Sequence, residues 1–196
     1  MASYAPDMPR NAVFVCVVDP GVGGDRPVMV LYADDKIYVG PGNGLFEIIA
    51  RRAGTYKATR IIWRPAHLSP SFHGRDLFAP VAAALARGEG VETAGLTADV
   101  DDGAWCRPDW SDDLAQVIYL DHYGNAIAGL RAATLTPDQA VVVGGHVLGR
   151  ARTFGDVAPG QAFWYENANG LVEITVNQGS AVNKLNLTLG SDITLP

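Results

Sequence analysis

Apolar positions along the chain follow two patterns. From residue 13 to about residue 87 they form short runs that alternate between strand-like and helix-like spacing. Val13–Val18 (VFVCVV) is nearly continuous and β-branched, the pattern of a strand buried on both faces. It stops at Asp19-Pro20-Gly21-Val22-Gly23-Gly24-Asp25-Arg26, a glycine-rich loop whose backbone must turn sharply or approach another group closely. Pro27–Tyr32 and Lys36–Val39 predict two strands around an Asp34-Asp35 turn, and Gly40–Gly44 breaks the second. Leu45–Arg52 has helical spacing and Thr59–Trp63 is a further strand. Leu77–Arg87 is an alanine-rich helix ended by Gly88. Such alternation predicts an α/β domain with a central, mostly parallel sheet.

Beyond Gly88 the pattern changes. Glu89–Asp113 is rich in Gly, Asp and Thr and predicts a linker with short elements. After it come Gln116–Leu120, Asn125–Leu130, Ala140–Val143, His146–Leu148, Ala162–Tyr165, Leu171–Val176 and Leu185–Leu189, short strand-like runs separated by turn residues. The one stretch with helical spacing is Ser180–Lys184. This predicts an all-β, barrel-like domain. The expected organisation is therefore an α/β domain over 1–110 and a β domain over 111–196, with no internal repeat.

Composition narrows the function classes. The 196 residues carry a net charge of −6, and no basic run exceeds Arg51-Arg52, which argues against nucleic acid as a partner. No apolar run approaches the roughly 18 residues of a membrane span, and none follows a basic leader. The expected location is the cytoplasm, without membrane contact. The opening MASYAPDMPRN is polar and proline-containing, as in a disordered lead-in. Cys16 falls inside an apolar run and predicts a reduced, buried thiol. With Cys106 far away, neither a disulfide framework nor metal-ligand spacing is seen.

Four segments carry candidate chemistry. Asp19 and Arg26 lie across a tight loop after a strand, where open α/β sheets bind ligands, and they equally suit a surface ion pair. No Gly-Lys-Ser/Thr follows, so a phosphate-binding P-loop is set aside. Phe72-His73-Gly74 stands at a helix entrance and fits either a ligand face or an ordinary loop histidine. Arg75 and Asp76 beside it suit a structural pair and cap. Asp121-His122-Tyr123-Gly124-Asn125 and Glu166–Ala181 have the composition of hairpin turns flanking strands.

Taken in order, VVDPGVGGDR, VGPGNGLF, SFHGRDLFAP, LDHYGNAIAGL and ENANGLVEITVNQGSAVNKLNL closely resemble successive motifs of the S-adenosylmethionine hydroxide adenosyltransferases, relatives of fluorinase and chlorinase. The resemblance runs from about Val13 to Leu189. It implies cleavage of S-adenosylmethionine, as substrate and without a cofactor, by water to adenosine and methionine. It assigns Asp19, Arg26 and His73 to the nucleophilic water, with Phe72 and Gly74 beside the substrate. Asp121 then faces the methionine amino group, Tyr123 and Asn125 lie near the adenosyl part, and Asn177 with the backbone near Ala181 meets the adenine edge. Asn167 and Ala168 fall where relatives hold the methionine carboxylate, and Asn169 replaces the arginine found there in fluorinase. Family members form trimers, each site drawing on the α/β domain of one subunit and the β domain of the next. They begin with about 50 further residues, roughly a third of an average domain, and this sequence starts just before the second conserved block. A halide-using adenosyl halogenase and a non-catalytic nucleoside-binding protein are the alternatives. Against the halogenase stands Asp19, where fluorinase resembles a tyrosine; Gly74 is shared with chlorinase.

Overall fold

The computed structural model describes residues 1–89 and 95–196, which divide into two compact units, Met1–Trp110 and Ser111–Pro196.

The first unit is built on a five-stranded sheet. Its strands are β1 (Val13–Val15), β2 (Val28–Ala33), β3 (Lys36–Pro41), β4 (Tyr56–Ile61) and β5 (Leu96–Asp99), in the spatial order β1-β3-β2-β4-β5. Only β1 and β3 pair in parallel; β2/β3, β2/β4 and β4/β5 are antiparallel. The expected mostly parallel sheet is therefore corrected to a mixed one. The reason is local: Asp34-Asp35 closes a β2–β3 hairpin, with Asp34 in the left-handed region (φ 50), so these neighbours must run in opposite directions.

Helix α1 (Glu47–Arg52) covers one face of this sheet and α2 (Ala79–Ala86) belongs to the core on the other. Strand β2 sits between them and alternates sides. Met29, Leu31 and Ala33 join Phe46 and Ile49, while Val28 and Val30 join Leu77, Phe78 and Val81. Fully burying such a side chain contributes roughly 1.5–3 kcal/mol. At the end of the unit, Glu47 accepts hydrogen bonds from Arg51 Nη2 (2.6 Å) and the Arg107 amide (2.7 Å), fastening the 107–110 segment to α1.

Two further expectations change. Val13–Val18 is not a strand buried on both faces: β1 is the sheet edge, and Val15, Val17 and Val18 are 47%, 50% and 65% exposed. A continuous β-branched run specifies extended chain but not how many neighbours it has. The N-terminal lead-in is ordered, with a 3-10 turn at Ala5–Asp7 and a buried Ala5 in the core around Tyr38 and Phe46. The Glu89–Asp113 stretch holds β5 and a 3-10 turn at Asp102–Ala104, while its residues 90–94 lie outside the described residues.

The second unit contains β6 (Leu114–Leu120), β7 (Ala126–Arg131), β8 (Val141–Val143), β9 (His146–Leu148), β10 (Ala162–Glu166), β11 (Leu171–Val176), α3 (Ala181–Leu185) and β12 (Ile193–Thr194). They form a four-stranded sheet β10-β11-β7-β6 and a three-stranded sheet β12-β8-β9, all antiparallel. No closed barrel forms, so the barrel-like expectation is corrected to separate sheets sharing one core around Trp164, Ile174, Val141 and Leu185. The strand expected at Leu185–Leu189 is absent. Ser180 caps α3 by accepting from the Asn183 amide, and Asn186 ends it in the left-handed region (φ 53). Leu185 and Leu187 are both buried, so their alternation imitated a strand while the chain was turning.

Candidate active site

In the first unit the chain leaves β1 after Cys16, whose amide donates to the Val39 carbonyl at 2.9 Å. Two turns follow, closed by Val22 N–H to Asp19 O (3.2 Å) and Gly24 N–H to Gly21 O (3.1 Å), and they bring Arg26 back onto Asp19. Asn43 steadies the loop from the neighbouring strand end, donating to the Val18 carbonyl at 2.9 Å. On the other side, Gly74–Phe78 forms a π-helical turn leading into α2, with His73 as its N-cap. Such turns recur at functional sites because they re-aim one side chain.

These loops bring Asp19, Arg26 and His73 together. Arg26 Nε donates to Asp19 Oδ1 at 2.7 Å, and Nη2 donates to Asp19 Oδ2. The same Nη2 lies 3.1 Å from His73 Nδ1. The Asp19 and Arg26 side chains are only 5% and 10% exposed. Beneath them the buried Phe78 presents its ring 5.6 Å from the guanidinium carbon and edge-on to His73. Gly74 packs on Val17, where an added Cβ would come within 3.1 Å of Cγ1. Phe72 lies outward, with the Arg75 guanidinium 4.9 Å from its ring. Arg75 also pairs with Asp76 at 2.6 Å, as its position suggested.

The arrangement dictates the histidine tautomer. A guanidinium only donates, so His73 Nδ1 must accept and the ring proton sits on Nε2. Burial, and then the Arg26 charge, hold the His73 pKa below its ordinary 6.5. Protonating His73 would place an N–H against the guanidinium and break the contact. The unfolded chain takes up that proton first as pH falls through 6.5, so stability and geometry tied to neutral His73 are intact above 6.5 and lost on the acid side. The pH profile of kcat/KM should therefore fall on its acid limb with an apparent pKa below 6.5, and that limb should move to lower pH in the residual rate of His73→Gln. An unchanged limb in that variant would contradict the assignment.

In the second unit the remaining candidates fall into two groups. The turn between β6 and β7 carries Asp121, Tyr123 and Asn125. Asp121 accepts from the Asn125 amide (2.8 Å) and from Asn125 Nδ2 (2.9 Å), while Tyr123 is 71% exposed. Gly124 has φ 87 and packs on Ser180, where a Cβ would meet Oγ at 2.1 Å. The Val182 amide donates to its carbonyl at 3.0 Å, so this turn and the Gly179-Ser180-Ala181 segment, distant in sequence, touch. Ala181 is buried there, and Asn177 Nδ2 donates to the Val157 carbonyl at 2.8 Å. Asn167 and Ala168 lie at the opposite end of β11, in the hairpin turn after β10. The Asn167 side chain is engaged within that turn: Oδ1 accepts from the Asn169 and Leu171 amides and Nδ2 donates to Glu173.

The profile of the SAM hydroxide adenosyltransferase N-terminal domain matches residues 1–95, and that of the C-terminal domain matches residues 115–194. The chain belongs to the SAM hydroxide adenosyltransferase family. It is 37% identical over 200 residues to a protein of Salinispora tropica named (R)-S-adenosyl-L-methionine hydrolase, covering 97% of this chain and 76% of that protein. A protein of the same name from Thermus thermophilus is 37% identical over 212 residues, covering 99% and 81%. Among solved structures, an uncharacterized conserved protein from Thermotoga maritima superposes with a TM-score of 0.84 at 28% identity, over 98% of this chain and 80% of that one.

Sequence reasoning missed the polar side chains beneath the candidate turns. Glu173 and Thr175 lie on the buried strand β11, 7% and 0% exposed. Tyr165 Oη donates to Glu173 at 2.7 Å, and burial, then that bond, push the phenol upward in pKa. The signal was available: in LVEITV a Glu and a Thr two apart interrupt an otherwise apolar strand, so one face had to meet polar partners. Among the described residues no group of three or more His, Cys, Asp or Glu side chains could hold a metal ion, and no helix is long and apolar enough to cross a membrane.

Proposed function

We propose that this protein hydrolyses S-adenosyl-L-methionine to adenosine and L-methionine, with water as the nucleophile at the 5′ carbon. The observation that carries the reading is the contact of Asp19, Arg26 and His73 in a part-buried cluster at the end of a strand. The hydrolase names of its relatives support it.

The leaving group, a neutral thioether, needs no acid, so the difficulty lies in the nucleophile. Water's pKa is about 15.7 in bulk, and the site must favour its deprotonation in the transition state. Arg26 supplies a fixed cation that cannot lose its own proton. Its Nη1 has no protein partner among the described residues, so it can receive the developing hydroxide. His73 Nδ1 is occupied by Arg26 and Nε2 carries the proton, which makes the histidine a donor toward the bound oxygen. Asp19 is then the proton acceptor: each carboxylate oxygen accepts once from Arg26 and keeps a second acceptor position. As oxygen bonds to the 5′ carbon and the carbon–sulfur bond breaks, the sulfonium charge is neutralised and one proton leaves to solvent through Asp19. Desolvation favours such charge neutralisation.

In this reading Asp121 receives the methionine ammonium, Tyr123 and Phe72 flank the substrate beside Gly74, and Asn177 with the Ala181 backbone meets the adenine. Asn167 and Ala168 border the methionine carboxylate. The protein acts in the cytoplasm, the location its composition suggests; it works without a cofactor, as a homotrimer whose sites draw on neighbouring subunits, and the family resemblance supports these last two points.

Incubation with S-adenosyl-L-methionine in 18O-water containing high chloride tests the reaction. Adenosine and methionine should form in equal amounts, with solvent 18O in the adenosine 5′-hydroxyl. Formation of 5′-chloro-5′-deoxyadenosine would make a halide the nucleophile, and unreacted substrate would end the hydrolase reading.

A further inference from the structure

Strand β11 reaches up to the Asp121 turn through one buried hydroxyl. Thr175, wholly buried on β11, donates its Oγ1 hydrogen to Asn125 Oδ1. Asn125 in turn presents Nδ2 to Asp121 Oδ2 at 2.9 Å, and its backbone amide to Oδ1 at 2.8 Å. A carboxylate only accepts, so the Asn125 amide must face it with nitrogen, and Oδ1 must then find a donor on the other side. Thr175 is that donor. Its loss leaves a partly buried acceptor unsatisfied and unties the amide from β11, so that Asn125 and the Asp121 carboxylate it holds can shift together.

We propose that Thr175 and Asn125 are positioning residues that fix the Asp121 carboxylate for the cationic end of the substrate, resting on the reading of Asp121 given above. The carboxylate has about four acceptor positions, of which Asn125 takes two, and the others remain for an ammonium group. On this view Asn125 holds Asp121 through its Nδ2 and backbone amide, while Thr175 holds its Oδ1.

Steady-state kinetics of Thr175→Val, Thr175→Ser, Asn125→Ala, Asp121→Asn and the Thr175→Val/Asn125→Ala double variant test this. Valine matches threonine in shape and lacks only the hydroxyl. Thr175→Val should raise KM for S-adenosyl-L-methionine about tenfold, the scale of one hydrogen bond to a charged group, with kcat within about twofold. Serine should restore the wild-type KM. Because the relay runs in series, the double variant should show the KM of Asn125→Ala alone. Calorimetry should give the same adenosine affinity for Thr175→Val as for wild type, since only the methionine end is affected. A purely structural role would instead lower kcat through lost active protein and leave KM intact. An unchanged KM in Thr175→Val beside a raised KM in Asp121→Asn overturns the relay alone, as would additive effects in the double variant. An unchanged KM in Asp121→Asn overturns the assignment of Asp121, and the relay with it.

Discussion

Asp19→Ala is expected to lower turnover of S-adenosyl-L-methionine by about 10²-fold or more, the scale of losing an acid–base group. The carboxylate has two tasks in the site. It is the remaining proton acceptor once His73 Nδ1 is occupied, and it holds the Arg26 guanidinium through two parallel hydrogen bonds. Removing it leaves a cation that is 10% exposed without its counter-charge, a loss that typically destabilises by about 3–5 kcal/mol. Rates must therefore be taken per folded molecule, with a melting curve beside each. Asp19→Asn separates the tasks, since the amide oxygen can still accept from Arg26 but cannot take a proton at neutral pH. Both variants should be slow, and the asparagine should be the more stable. Wild-type turnover in either would remove Asp19 from the chemistry.

Much of the fold was legible because its signals are local. Leu171–Val176 is a strand with the predicted bounds, and the Asp34-Asp35 turn was visible between two apolar runs. What could not be read was neighbourhood. Nothing in VFVCVV states that β1 has a neighbour on one side only, and nothing in the alternation of strands and helices states that β2 and β4 run antiparallel. Those facts depend on where the chain returns after each turn. Leu185–Leu189 failed differently: buried leucines two apart satisfy a strand pattern, yet a serine N-cap and a left-handed Asn186 set the local structure instead.

The candidate site divides along the same line. Asp19 and Arg26 could be paired because one loop joins them, and adding His73, 47 residues beyond Arg26, required the family resemblance. Residues that act from beneath, such as Thr175 and Glu173, are marked in the sequence only as polar breaks in an apolar strand, without their partners. Their role emerges only when a strand from another hairpin is laid under the turn. The paired asparagines show the reverse. Asn125 and Asn167 stand in motif positions that suggest direct ligand contact, while their side chains are engaged by neighbouring protein groups.

Arg26→Lys should be the other severe change, lowering kcat by about 10²–10³-fold, the range found for loss of a preorganised donor at a developing charge. Charge is retained, so any loss reports geometry. The guanidinium is a rigid fork: Nε and Nη2 serve Asp19, Nη2 also serves His73, and Nη1 is left for the bound oxygen. A lysine ammonium is a single point with three donors on a flexible stem, and it cannot occupy all of these places at once. It would be drawn to Asp19, leaving His73 Nδ1 without a donor and the nascent hydroxide without its cation. Because that charge exists only in the transition state, kcat and kcat/KM should fall together while KM stays near its wild-type value. The acid limb of the pH profile should keep its apparent pKa below 6.5, since burial and the retained positive charge both still oppose protonation of His73. A lysine variant within tenfold of wild type, or one that alters KM alone, would show that positive charge suffices and that the fork plays no part in handling water.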